Sequence, residues 1–121
     1  MCIRDRGADV QLAEFGGRAT AQSIVDGAAG RNGGVEPMGD VGVVVGATRE
    51  HGLDLSALNG PVLAPGLGTQ GAAPADIAGI FCGVRGIVLP AASRSVLRAG
   101  PDVVALRAAV ESLRDELAAT V

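Results

Sequence analysis

Two short segments of this 121-residue chain carry the groups best suited to chemistry. Residues 62–71 begin as a short apolar run and continue into glycines and Gln70, and residues 89–94 run from an apolar start to Ser93 and Arg94. Each apolar run is typical of a buried parallel strand that opens into a loop at its carboxyl end. Exposed backbone amides, a carboxamide, a hydroxyl and a guanidinium all donate hydrogen bonds to phosphate oxygens. We therefore predict a phosphate site at two neighbouring strand ends, the arrangement found after the last two strands of many (β/α)8 barrels.

The composition limits what the chain can build and bind. A closed (β/α)8 barrel needs about 250 residues, so 121 residues supply about half of one. Hydrophobic residues make up 48%, with two Phe and neither Tyr nor Trp, so the core must consist of Val, Leu, Ile and Ala. The net charge of −3 gives no electrostatic basis for binding nucleic acid or an anionic membrane. No apolar run approaches the roughly 20 residues of a membrane helix.

The cysteines and the basic residues add two further constraints. Cys2 and Cys82 have no metal-binding or redox spacing, and we expect Cys82 to be buried as a small hydrophobic residue. This cysteine usage fits a reducing cytoplasm. All ten basic residues are arginine, so a mechanism that needs a lysine ammonium group cannot be completed by this chain alone.

The pattern along the chain predicts helices alternating with strands. Residues 1–6 match nothing that follows and are interpreted as a non-native leader, which leaves 7–121 as the folded unit. We expect a loop over 7–15, a helix over 17–29 and a loop over 31–40. Strands are predicted over 41–46 (buried on both faces), 62–64 and 86–89. Helices are predicted over 53–58, from Pro74 and from Pro101 onward. Residues 94–99 are predicted to form a loop or a single helical turn.

The last helix carries the clearest apolar stripe in the chain. Its members recur at helical spacing: Val103, Leu106, Val110, Leu113 and Leu117. Strands joined by helices at this spacing indicate an α/β fold with parallel strands, either a doubly wound sheet or part of a barrel.

The glycine-rich loop admits other interpretations. Residues 66–71 formally match G-x-G-x-x-G between a strand and a helix, the context of a dinucleotide-binding loop. Pro74 interrupts the position where that helix would already run, and the end of the next strand carries Pro90 and Ala91 rather than an acid for a ribose. A P-loop is excluded because no lysine follows, whereas a glycine-rich turn without a ligand stays open.

The remaining polar residues give weaker signals. From its position alone Arg94 is typical of a solvated surface arginine, and Thr48 and Arg49 are weaker candidates for the same phosphate role. His51 has no second metal ligand nearby and is expected in a loop. The acids form no general acid–base pair, and no nucleophile with an adjacent base can be assembled.

Four segments resemble the C-terminal half of orotidine 5′-phosphate decarboxylase, most closely its bacterial subgroup with a long, insertion-bearing barrel. They are residues 41–48 (VGVVVGAT), 60–71 (GPVLAPGLGTQG), 89–101 (LPAASRSVLRAGP) and the helix over 106–117. The resemblance extends from Gly7 to the end of the chain. It implies a (β/α)8 barrel that acts as a homodimer and converts orotidine 5′-phosphate to UMP and CO2 without metal or organic cofactor.

The resemblance also implies a role for each strand end. The three predicted strands correspond to the sixth, seventh and eighth of the barrel. Gln70 matches a glutamine whose amide reaches the substrate phosphate, Arg94 matches the arginine paired with it, and Ser93 stands where many members have glycine. The substrate-proximal loop near the pyrimidine would comprise Pro65, Gly66 and Gly68.

The chain departs from the family in what it lacks. The Asp-x-Lys-x-x-Asp signature that carries the catalytic lysine lies on the third strand, and no such segment occurs here. The resemblance therefore assigns phosphate binding to this chain and no catalytic residue, and the chain alone is expected to be inactive. Two alternatives stay open: a complete small α/β module that binds a nucleotide or sugar phosphate without chemistry, and a different phosphate-handling barrel such as an epimerase or synthase.

Overall fold

The computed structural model describes residues 12–47, 51–68 and 72–120, which form five strands and four helices. The elements are β1 (Glu14–Phe15), β2 (Arg18–Ala19), α1 (Thr20–Asn32), β3 (Val43–Val44), β4 (Val62–Pro65), α2 (Pro74–Ile80), β5 (Val88–Ala91), α3 (Arg94–Leu97) and α4 (Val103–Ala118). The predicted leader (residues 1–6) lies outside these residues, as do Thr48, Arg49 and Gln70. None of the described helices is long and apolar enough to span a bilayer.

A parallel sheet with the order β3–β4–β5 organises the chain. Val62 of β4 pairs with Val43 on one side and with Val88 on the other, and Leu63 lies one residue further along. The predicted α/β class and the parallel direction of the strands are confirmed. The third strand begins two residues later than predicted, at Val88, and ends at Ala91.

The first strand of this sheet differs from its prediction. Only Val43–Val44 are strand, although Val45 and Ala47 still donate backbone hydrogen bonds to Leu63 (2.9 Å) and to Pro65 (2.8 Å). Burial on both faces was wrong, because the Val44 side chain is 53% exposed whereas Val45 is buried. The register position that holds Val43, Val62 and Val88 belongs to the core, whereas the next position, with Val44, Leu63 and Leu89, is exposed.

The N-terminal part folds into a hairpin followed by a helix. Glu14–Phe15 pairs antiparallel with Arg18–Ala19 through Gly16 (φ +62°) and Gly17 (φ +78°), the positive φ values that a type I′ turn requires. The predicted loop over 7–15 is therefore wrong at its last two residues. The predicted helix over 17–29 exists but runs three residues later, over Thr20–Asn32.

The last residue of α1, Asn32, ties three segments together. It is fully buried, and its Nδ2 donates to the carbonyls of Val41 (2.8 Å) and Leu58 (2.9 Å), while its Oδ1 accepts from the Val41 amide (3.1 Å). Gly39 and Gly60 pack directly against this side chain, where a Cβ atom would collide with it. The prediction placed Asn32 in a loop, whereas the structure makes it a buried connector.

The helix predicted over 53–58 is absent; the segment forms a turn. Asp54 accepts hydrogen bonds from the backbone amide (3.0 Å) and the hydroxyl (2.6 Å) of Ser56. Such a local side-chain bond offers the backbone an alternative to a helix. Leu55 and Leu58 are nevertheless buried, so the turn still contributes to the core.

A carboxylate accepts a backbone hydrogen bond at the start of each of two helices. Pro74 is the first residue of α2, as predicted, and the Asp76 carboxylate accepts a hydrogen bond from the Ala73 amide (2.8 Å). Helix α4 begins at Val103 rather than at Pro101, because the Asp102 side chain caps it by accepting from the Ala105 amide (2.7 Å).

Two predictions of burial at the helices were wrong. Cys82 is exposed, because α2 ends at Ile80 and Phe81 takes the inward position. On α4, Leu113 and Leu117 pack against the core, but Val103 (69% exposed) and Val110 (51% exposed) face away from it.

Candidate functional site

The loop that follows β4 is shaped by glycines. Pro65 ends the strand opposite Ala91, and Gly66 (φ +106°) and Gly68 (φ +89°) then adopt backbone conformations that disfavour other residues. The Gly68 amide donates to the Ala72 carbonyl at 2.9 Å, which joins the two sides of the loop. Gln70 lies outside the described residues, so the structure gives no position for its amide.

The segment that follows β5 turns at once into a short helix. Ser93 precedes α3 and its carbonyl accepts from the Leu97 amide (2.9 Å), while its side chain makes no capping hydrogen bond. Arg94 is the first residue of α3 and is exposed. In the described part of the chain the Arg94 guanidinium takes part in no ion pair, so its donors are available to an anion.

The two strand ends meet where Gly68 packs against Ser95. A Cβ atom placed on Gly68 would lie 3.2 Å from the Cβ and 3.3 Å from the Oγ of Ser95, which is closer than ordinary packing. Gly68 is two residues from Gln70, and Ser95 follows Arg94 directly. The structure therefore places Gly68, in the loop after β4, against the side chain of Ser95, the residue that follows the second predicted segment.

Ser95 is the residue of this site that the sequence did not indicate. Its Oγ is buried and has no hydrogen-bond partner among the described residues. Nothing in the sequence distinguishes Ser95 from Ser93, because only the fold shows which of the two serines faces the glycine loop.

A groove of about 290 Å³ lies behind this contact, between the loop after β4, α3 and α4. Its lining residues are Gly68, Pro74, Ser95, Val96, Ala109, Ser112, Leu113 and Glu116. Ser112 donates a hydrogen bond to the Glu116 carboxylate (3.2 Å), and that negative charge disfavours an anion in the groove. Arg94 is not among the residues that line this groove.

The other predicted polar residues contribute no further group here. Thr48 and Arg49 lie outside the described residues. His51 is a loop residue, as predicted: its Nδ1 accepts from the Leu53 amide (3.1 Å), its Nε2 donates to the Ile80 carbonyl (2.9 Å), and its ring packs near Phe81. No cluster of metal-ligating side chains occurs in the three described ranges.

These features define a class: an α/β unit with a parallel three-stranded sheet, in which a glycine-containing loop and a short helix follow the carboxyl ends of two adjacent strands. The chain is 56% identical over 107 residues to an orotidine 5′-phosphate decarboxylase of Salinispora arenicola and 52% identical to that of Salinispora tropica. Each match covers 87% of this chain and 38% of the relative, so the chain spans about two-fifths of the length of these relatives. No family model matches the chain, and no solved structure is significantly similar to it. The resemblance to part of an orotidine 5′-phosphate decarboxylase is confirmed.

Proposed function

We propose that the chain supplies the phosphate-binding part of an orotidine 5′-phosphate decarboxylase, the enzyme that converts orotidine 5′-phosphate to UMP and CO2. The observation that carries this proposal is the contact between Gly68 and Ser95 at the carboxyl ends of β4 and β5. Two named decarboxylases with more than half of the aligned residues identical support the choice of substrate.

Arg94 binds the phosphate in this proposal. Its guanidinium is exposed, is free of carboxylate partners in the described ranges, and has the planar set of donors that fits phosphate oxygens. Gln70 and Ser93 complete the set of donors. The backbone at Pro65, Gly66 and Gly68 borders the rest of the nucleotide.

The chemistry belongs to residues that this chain does not contain. Protonation of the carbon that loses CO2 needs an acid such as the family's lysine, and the chain has none. Phosphate binding remote from the reacting carbon still contributes to the rate, because its binding energy helps to organise the site. We therefore propose that the chain alone is inactive, and that it acts in the cytoplasm within a homodimeric barrel that needs no metal or organic cofactor.

The test is a hybrid in which this chain replaces the matching part of the Salinispora arenicola decarboxylase. We expect the hybrid to decarboxylate orotidine 5′-phosphate, and Arg94→Ala to lower kcat/KM by about 10- to 100-fold, because a hydrogen bond to a charged group contributes about 1.5–3 kcal/mol. Arg107→Ala, which removes an exposed arginine from α4, is the matched control and should leave kcat/KM unchanged. An active hybrid that is insensitive to Arg94→Ala would refute the assignment.

A second candidate is a phosphate-binding module that works without the rest of a barrel. It is favoured by the fact that Gly68, Ser95 and Arg94 all belong to this one chain and are placed without a partner. Titration of the isolated chain with UMP and with uridine, followed by calorimetry, separates the two candidates. Tight binding of UMP but not uridine by the isolated chain supports the module, whereas weak or absent binding supports the decarboxylase part.

A further inference from the structure

The segment that contains β5 and α3 is basic, although the chain as a whole is acidic. Residues 77–101 contain three arginines and no aspartate or glutamate, whereas the chain carries a net charge of −3. Two of these arginines, Arg94 and Arg98, begin and follow α3, beside the candidate phosphate site. A local excess of positive charge next to this site attracts an anionic ligand.

Arg94 and Arg98 are one helical turn apart. The Arg98 amide donates a hydrogen bond to the Arg94 carbonyl (3.2 Å), and Arg98 has helical backbone angles (φ −61°, ψ −23°). Residues four apart in a helical turn lie on one face, with Cβ atoms about 5–6 Å from each other. Both residues are exposed. The two arginines therefore share one solvent-facing side of α3.

The other side of α3 is packed, which fixes the direction of the arginine side. Ser95 packs against Gly68 in the loop after β4, and Ser95 and Val96 line the groove next to α4. Neither arginine lines that groove. Rotation of α3 about its axis would break the contact between Ser95 and Gly68, so the packing holds both arginines toward solvent beside the loop after β4.

No carboxylate neutralises the two arginines in the described part of the chain, where the ion pairs involve Arg18 and Arg114. The acidic residue nearest to Arg98 along the chain is Asp102, whose side chain caps α4 by accepting from the Ala105 amide (2.7 Å). Like charges four residues apart destabilise a helical turn. An anion held between two guanidinium groups removes this repulsion and accepts hydrogen bonds from both.

We propose that Arg98 is a second phosphate-binding residue, which holds the 5′-phosphate of the nucleotide together with Arg94. A phosphate monoester carries about −1.5 to −2 charges at pH 7, so one guanidinium leaves part of its charge without a partner. Arg98 supplies the second positive charge and a further planar set of donors. The inference rests on the proposed function for the identity of the ligand, and it adds a residue that selects the nucleotide over the uncharged nucleoside.

The test compares UMP with uridine as inhibitors of the hybrid in which this chain replaces the matching part of the Salinispora arenicola decarboxylase. We expect Arg98→Gln to raise the inhibition constant of UMP by about 3- to 10-fold, which lies between the effect of an exposed ion pair and that of a hydrogen bond to a charged group. The constant for uridine should stay within about twofold, because uridine has no phosphate.

Two further variants separate a phosphate contact from a general effect of charge or structure. Arg107→Gln removes the same charge from an exposed position on α4 and should leave both constants within about twofold. Arg98→Lys keeps the charge and should recover part of the affinity for UMP. In about 1 M NaCl, where the Debye length is about 3 Å, the difference between Arg98→Gln and the unsubstituted hybrid should shrink.

Unchanged affinity of Arg98→Gln for UMP, or an equal loss of affinity for UMP and uridine, would overturn the proposal. If the hybrid does not turn over its substrate, calorimetric titration of the same hybrid with UMP and uridine measures the same two affinities. Sensitivity to Arg94→Ala without sensitivity to Arg98→Gln refutes only this inference. A hybrid that is insensitive to both substitutions, or that neither turns over substrate nor binds UMP, refutes the proposed function.

Discussion

Gly68→Ala tests whether the loop after β4 packs against the segment after β5. At φ +89° a residue with a Cβ is strained by about 1–2 kcal/mol. The new Cβ would also lie 3.2 Å from that of Ser95, and such overpacking costs about 1–3 kcal/mol. We therefore expect Gly68→Ala to lower the free energy of unfolding by about 2–5 kcal/mol.

The contact with Ser95 can be isolated by a double-mutant cycle in urea unfolding. Ser95→Gly removes both atoms that the new methyl group would meet, so the double variant should recover about 1 kcal/mol relative to the sum of the single variants. The strain at φ +89° remains in both backgrounds and cancels from the cycle. Additivity within about 0.3 kcal/mol would refute the reasoning, because it would mean that the loops after β4 and β5 are not in contact.

Three further predictions concern the scaffold and its surface. Asn32→Ala leaves the partly buried carbonyl of Val41 and the buried carbonyl of Leu58 without their donor, and should lower the free energy of unfolding in urea by about 2–4 kcal/mol. Asp102→Ala removes the cap of α4 and should cost about 1 kcal/mol in the same assay. The Ser56 hydroxyl and amide hold the pKa of Asp54 below its usual value, so Ser56→Ala should raise that pKa in an NMR titration. Because the folded-state pKa is lowered, any stability that this turn contributes is present above the unfolded-state pKa and is lost as the pH falls through the folded-state value.

The sequence predicted the sheet because its strands carry their own signal. Val62–Pro65 is a short apolar run bounded by Pro61 and Gly66, and an apolar run with such boundary residues indicates a buried strand. The start of α2 was equally predictable, because proline is favoured at the first position of a helix.

The elements that failed depend on side-chain hydrogen bonds that the apolar pattern does not reveal. Asn32 is the last residue of α1, and its side-chain amide donates a hydrogen bond to the carbonyl of Leu58, 26 residues away. Nothing in the sequence around Asn32 indicates this hydrogen bond. The turn at 53–58 was missed because its spacing of leucines suits a helix, while the Asp54–Ser56 hydrogen bonds that oppose it are formed by side chains.

The candidate site divides in the same way. The glycine loop and Arg94 could be selected from residue type and position alone, since both follow apolar runs. The role of Ser95 could not, because its significance lies in facing Gly68 across two strands. The register of the sheet determines which residues of two neighbouring loops come into contact. That register cannot be deduced from the sequence of either loop alone.

The remaining wrong predictions point to a common physical cause. Val44, Val103 and Val110 were each expected to be buried because their apolar patterns are those of buried strands and helices. In the structure all three are more than half exposed. Exposed apolar surface of this kind is typical of protein surfaces that bind another polypeptide segment or a ligand. Val44 on the sheet and Val103 and Val110 on α4 are therefore apolar surface that the described residues leave uncovered, although the local sequence pattern around each of them is that of a buried element.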